Sequence, residues 1–154
     1  MSTETRFEDG NLIVTRTFEA PRPAVFEAWV ETSKVQKWWG CAQTTEVRSE
    51  IEPRVGGSYT HHMVIDGQHE HCGEGTFTIY EPPERLAFES PMPGGAVMTV
   101  TVDFREVSGG TEVELVHAGI PDIEVDGGMR LREIVQGGWT AGFEKLGKFL
   151  EVGV

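Results

Sequence analysis

The feature that most constrains this chain is a change of apolar period near residue 129. Between Asn11 and His117, apolar side chains alternate in short runs bounded by turn residues. From Met129 to Val152 the spacing becomes helical: Leu131, Ile134, Val135, Trp139, Phe143, Leu146, Phe149 and Leu150 recur at steps of three and four. A chain with many half-apolar strands and one long half-apolar helix has few ways to bury both. Strands joined by short turns pair as antiparallel neighbours, and the helix must cover their apolar face. A wide sheet then has to curl around a helix only about 10 Å across, and near the helix ends the concavity is left unfilled.

The remaining elements follow from local signals. Asn11 to Glu19 reads as the first strand and is stopped by Pro21 and Pro23. Two short helices follow, Ala24 to Val30 and a second from a Thr32-Ser33 cap to Trp39, which Gly40 ends. Six more strands are expected: Thr44 to Glu52, Ser58 to Ile65, His71 to Tyr80, Arg85 to Glu89, Ala96 to Glu106 and Thr111 to His117. Pro91 to Gly95 reads as a loop, and so does the acidic stretch Gly119 to Gly128. The predicted architecture is α+β: a seven-stranded curved antiparallel sheet around a long C-terminal helix, with two short helices between strands one and two. Residues 1–10 read as a flexible segment and residues 11–152 as a single domain. Gly137, Gly138, Gly142 and Gly147 interrupt the helix pattern. Each costs about 1 kcal/mol relative to Ala. Either close approach of the sheet or room for a ligand would account for them.

Composition narrows the function classes. Sixteen of the 25 acidic residues but only four of the 13 basic ones fall in residues 44–127, so the net charge of −12 is concentrated in the strand region. Such a surface repels nucleic acid and anionic membranes. No apolar run approaches the twenty or so residues of a membrane span, and the N-terminus lacks a signal-peptide pattern. The two cysteines, Cys41 and Cys72, are too few for a disulfide scaffold, which points to a reduced, cytoplasmic protein.

An ordered set of short motifs then becomes informative. Phe18-Glu19-Ala20-Pro21-Arg22-Pro23-Ala24-Val25-Phe26-Glu27-Ala28-Trp29 is followed by Trp38-Trp39-Gly40 and Gly56-Gly57-Ser58-Tyr59. Gly73-Glu74-Gly75 leads to Pro82-Pro83-Glu84-Arg85-Leu86, then Gly109-Gly110-Thr111 and His117-Ala118-Gly119. Gly138-Trp139 precedes Phe143-Glu144-Lys145-Leu146. From about Asn11 to Glu151 the chain resembles the heat-shock-protein-90 ATPase activator homologue group of the START-like (SRPBCC, birch-pollen-allergen-like) superfamily. The resemblance implies a helix-grip fold with a deep, mostly apolar cavity, used by superfamily relatives for lipids, steroids or polyketides. It implies no metal and no cofactor.

Four of the five histidines cluster in His61, His62, His69 and His71, beside Cys72. Their placement depends on the Asp66-Gly67 hairpin. A two-residue loop pairs Ile65 with Gln68 and splits the apolar set between faces. A three-residue loop, Asp66-Gly67-Gln68, pairs Ile65 with His69 and Met63 with His71. It puts Tyr59, His61, Met63 and Ile65 on the inner face with His69, His71, Phe77 and Ile79, and His62 and Cys72 outside. The spacing matches no standard zinc pattern. His117 follows Val113 and Leu115 at period two and should also face inward, where it needs a polar partner. No nucleophile–base set stands in a recognised context, Gly73-Glu74-Gly75 lies within a strand, and Gly56-Gly57 precedes a strand rather than a helix.

The leading expectation is a binding module for a small, largely apolar molecule, with a stress-related or regulatory role. Tyr59, Met63, Phe77, Val100, Val102, Trp139 and Phe143 would form apolar walls, and His61, His71 and His117 would orient the ligand. A chaperone contact through the acidic surface is the second expectation, and a cyclase- or hydrolase-type enzyme using cavity histidines is the third. Sheet edges would allow a homodimer.

Overall fold

A computed structural model describes residues 3–91 and 95–151. The expected loop at Pro91 to Gly95 and the expected last helical residue, Val152, fall partly or wholly outside them. Among the described residues the strands are β1 Glu4–Glu8, β2 Asn11–Phe18, β3 Thr44–Ile51, β4 Tyr59–Ile65, β5 His69–Gly73, β6 Thr76–Glu81, β7 Arg85–Pro91, β8 Val97–Val107 and β9 Gly110–Ala118. The helices are α1 Arg22–Val30, α2 Thr32–Val35 and α3 Leu131–Glu151, with a short 3₁₀ turn at Asp126–Gly128. The α+β class, the antiparallel pairing and the long C-terminal helix are those expected of a helix-grip fold. No helix among the described residues is long and apolar enough to cross a membrane.

The strand count differs from the expected seven. The nine strands form a six-stranded sheet, β1-β2-β9-β8-β7-β6, and a three-stranded sheet, β3-β4-β5. One additional strand is β1, in the segment expected to be flexible. It pairs with β2 through a two-residue Asp9-Gly10 turn, with Glu8 opposite Asn11. Both turn residues have positive φ, 53° and 82°, as a type I′ hairpin requires.

The other difference lies between His71 and Tyr80, which form two strands rather than one. The break falls at Glu74-Gly75, where the Tyr59 amide donates to the Gly75 carbonyl at 2.8 Å. A Cβ on Gly75 would sit 2.6 Å from the Tyr59 carbonyl oxygen, so only glycine allows this crossing. The Phe77 amide donates to the Gly57 carbonyl and the Gly56 amide to the Phe77 carbonyl, both at 2.9 Å, joining the two sheets across the kink. The second short helix is also briefer than expected and ends at Val35.

The hairpin after β4 has the three-residue register: Ile65 pairs with His69 and Met63 with His71. On the inner side, α1 feeds Phe26 and Trp29 into the core and the turn after α2 feeds Trp38, each at most 3% exposed. Trp29 touches the rings of Trp38, Phe104 and Phe143 at centroid distances of 4.7, 6.0 and 6.0 Å. This aromatic cluster fills the centre of the concavity.

The long helix divides into two halves. Its buried residues, Gly142, Phe143, Leu146, Gly147 and Leu150, all lie in the C-terminal half. That half is held by Phe143 against Phe18 at 5.9 Å and by an ion pair between Arg16 and Glu144. The N-terminal half keeps its apolar stripe partly uncovered, with Ile134 42% exposed.

Candidate functional site

The uncovered stripe of α3 forms one wall of a cavity of about 380 Å³. The helix contributes Ile134, Val135, Gly138 and Trp139, β4 contributes Met63 and Ile65, and β5 contributes His71. The segment after α2 closes it with Trp39, Gly40 and Cys41. Gly40 has φ +107°, and a Cβ there would run into Thr44. The Cys41 amide donates to Thr44 Oγ1 at 3.0 Å, fixing this turn. The Gly40 carbonyl then lies 3.5 Å from where a Cβ on Gly142 would be, so the turn packs directly on the helix. Among the described residues the lining carries no carboxylate, amine or guanidinium; its polar side chains are His71, the Cys41 thiol and the two indoles.

Three of the ten expected site residues, Met63, His71 and Trp139, line this cavity. Tyr59, Phe77, Val100, Val102 and Phe143 are at most 2% exposed and belong to the packed core. The reason is the aromatic cluster from α1 and the turn after α2, which occupies the central concavity, whereas the 380 Å³ cavity lies toward the β4–β5 end. Tyr59 illustrates this: its hydroxyl donates to the Trp29 carbonyl at 2.7 Å, and burial raises its pKa. Trp39, Gly40, Cys41, Ile65, Ile134, Val135 and Gly138 complete the lining. Of these, Ile65 was placed on the inner face by register, Ile134 and Val135 by helical period, and Gly138 by its unexplained cost.

Of the histidines expected to face inward, His61 and His117 are buried structural groups, whereas His69 and His71 are exposed. His61 is 2% exposed, and its ring stacks on Trp39 with centroids 3.8 Å apart. Its Nδ1 lies 2.8 Å from the Ser49 hydroxyl, while Nε2 is buried without a hydrogen-bond partner. Burial, with a smaller contribution from the charge of His62, pushes its pKa down to about 3. His117, 6% exposed, accepts a hydrogen bond at Nδ1 from the Trp139 indole N–H at 2.9 Å. Its Nε2 therefore carries the proton and faces the Met98 sulfur at 3.2 Å. Burial pushes the His117 pKa down to about 4. His69 is exposed and lies outside the cavity lining. Among the described residues no group of three or more His, Cys, Asp or Glu side chains is placed to hold a metal.

The glycines of α3 separate into two pairs. A Cβ on Gly147 would collide with the Arg16 guanidinium, and one on Gly142 would contact Gly40 and Trp38. Gly137 and Gly138 have nothing within 4 Å of a Cβ position, and Gly138 borders the cavity. Close packing accounts for Gly147 and keeps the side chain at 142 small, and it accounts for neither Gly137 nor Gly138.

Comparison with known proteins agrees with this architecture. A Chromobacterium violaceum protein of known crystal structure is 23% identical, with a TM-score of 0.78 over 90% of this chain and 95% of its own. A solution structure from Arthrobacter aurescens is 18% identical, with a TM-score of 0.77 over 98% and 91%. The AHSA1-like protein from Aeromonas hydrophila is 24% identical, with a TM-score of 0.69 over 92% of each chain. At these identities the likeness is one of fold. No curated protein matches the chain. The family model described as activator of Hsp90 ATPase homolog 1-like protein matches residues 19–151, and the chain belongs to that family.

Proposed function

We propose that this protein binds a small, largely apolar molecule between β4, β5, the turn after α2 and the N-terminal half of α3. The observation that carries the reading is the cavity of about 380 Å³, lined by an apolar helix stripe that the sheet leaves uncovered. A cavity of this size, apolar with a few polar groups, is of the kind that holds small ligands. Met63 and the two indoles supply adaptable and aromatic contact, and the His71 imidazole supplies a hydrogen-bonding group.

The test uses phenylnaphthylamine, a neutral apolar fluorophore. Binding should enhance its emission and raise the melting temperature; a hundredfold excess over Kd stabilises by about 2.7 kcal/mol. Gly138→Leu projects a side chain into the cavity from a position with no neighbour to displace. It is expected to abolish probe binding while preserving or raising stability. Equal binding by this variant would place the probe elsewhere and refute the reading.

A second reading follows from the family's description: a contact with a chaperone, made through the acidic strand region. It predicts salt-sensitive stimulation of a chaperone ATPase. No stimulation at low salt counts against it.

A further inference from the structure

We propose that His117 is the positioning residue of the cavity: its Nδ1 lone pair fixes the Trp139 indole as a wall, and thereby favours flat aromatic ligands. This rests on the cavity being a binding site. Trp139 is half-buried, with Gly138 before it and Gly142 three residues after it. On its own helix the indole meets the Phe143 ring edge-on at 6.4 Å, a contact that, like the other ring contacts, sets no single direction for the N–H. Ring contacts with Trp29 at 6.1 Å and Trp39 at 5.3 Å are adaptable. The directional constraint is the hydrogen bond to His117 Nδ1 at 2.9 Å.

His117 is well placed to impose that constraint. Its strand, β9, is paired on both sides, with Leu12 on β2 and Val100 on β8 opposite His117 itself. The Met98 sulfur faces Nε2 and holds the other end of the ring. Burial keeps the imidazole neutral, so Nδ1 stays an acceptor.

The consequence concerns ligand chemistry. With its N–H engaged by His117, Trp139 offers a ligand only its ring. Trp39 meets it at an interplanar angle of 82°. Two indoles at a right angle form a corner in which a flat ring can stack on one and present its edge to the other. A flexible aliphatic chain gains nothing from that geometry. Phenylnaphthylamine should therefore depend on the latch, and dodecanol should not.

The experiment compares wild type, His117→Leu and His117→Asn. Leucine removes the acceptor at similar bulk; the asparagine carboxamide oxygen can accept near the position of Nδ1. Two readouts are taken: affinity for each probe, and solvent exchange of the Trp139 indole proton in the ligand-free protein by NMR. His117→Leu is expected to speed indole exchange at least tenfold and to weaken phenylnaphthylamine about five- to tenfold, the worth of one neutral hydrogen bond. His117→Asn should restore both to within about threefold of wild type, and dodecanol affinity should change little in either variant. Unchanged exchange and aromatic affinity in His117→Leu overturns the proposal, as does equal loss for both probes. Should His117→Leu not fold, Trp139→Phe deletes the same hydrogen bond from the other side, and undiminished phenylnaphthylamine binding there overturns it equally. If wild type binds neither probe, the cavity reading falls, and indole exchange still judges the latch by itself.

Discussion

Acidification from about pH 7 to about pH 5 should destabilise this protein through two named rings. His61 and His117 hold pKa values of about 3 and about 4 in the fold, against an ordinary 6.5. Both shifts arise chiefly from burial, which disfavours the imidazolium. Above 6.5 both states leave the rings neutral, and the full stability is present. As the pH falls below 6.5, the unfolded chain takes up protons that the folded chain does not, so stability declines. The decline ends only where the folded rings themselves protonate, near 4 for His117 and near 3 for His61. At about pH 5 each ring has withdrawn roughly 2 kcal/mol relative to pH 7. Together that is about 4 kcal/mol, a large share of the roughly 5–15 kcal/mol that typically holds a domain folded. Urea denaturation at the two pH values, for wild type and for His61→Asn, His117→Asn and the double variant, measures it. The single variants lose stability at neutral pH, but their loss on acidification should shrink by about 2 kcal/mol each. A double variant that loses as much between the two pH values as wild type refutes the assignment to these rings.

Two further outcomes follow from the packing. Gly137→Ala should raise stability by about 1 kcal/mol, or roughly 2–4 °C in Tm, because its Cβ meets nothing within 4 Å; phenylnaphthylamine binding should be unchanged, since Gly137 is not part of the lining. Tyr59→Phe removes the buried hydrogen bond to the Trp29 carbonyl and should cost about 1–2 kcal/mol in urea denaturation. An unchanged midpoint would mean that the hydroxyl contributes nothing net.

What the sequence reveals depends on which side chains report burial. The period of α3 is legible because Phe143, Leu146 and Leu150 are buried at helical spacing. The hairpin after β4 is legible because only one register reunites Tyr59, Met63 and Ile65 with Phe77 across the turn. β1 is not legible by alternation: four of its five residues are exposed, so it carries no apolar pattern. Its signal is the Asp9-Gly10 dipeptide, the same hairpin chemistry as Asp66-Gly67. The break between β5 and β6 depends on Gly75 crossing close to the Tyr59 carbonyl, a contact between segments far apart in sequence. Which inward residues border the cavity is hard to read from sequence for a related reason. Inward-facing strand positions identify the concave face, but not which part of that face α1 and α2 fill. Val100, Val102 and Phe77 face inward as expected and meet packed side chains rather than space.

The two halves of α3 bear on the same question. Uncovered apolar surface forgoes about 25 cal/mol per Å², and a helical glycine gives up about 1 kcal/mol. The C-terminal half shows little of either: its apolar residues are buried or, like Phe149, packed against the core, Gly147 admits the Arg16 guanidinium, and Gly142 lies in contact with the Gly40 turn. The N-terminal half shows both. Ile134 stays 42% exposed, and Gly137 and Gly138 meet nothing that a Cβ would displace. A helix adapted only for packing would carry a larger side chain at 138 and fill the cavity. A helix that must leave the cavity open cannot, since any long side chain there projects into it. Stability is forgone in the half that borders the cavity, which supports ligand binding over plain packing and makes Gly138→Leu the substitution that separates the two.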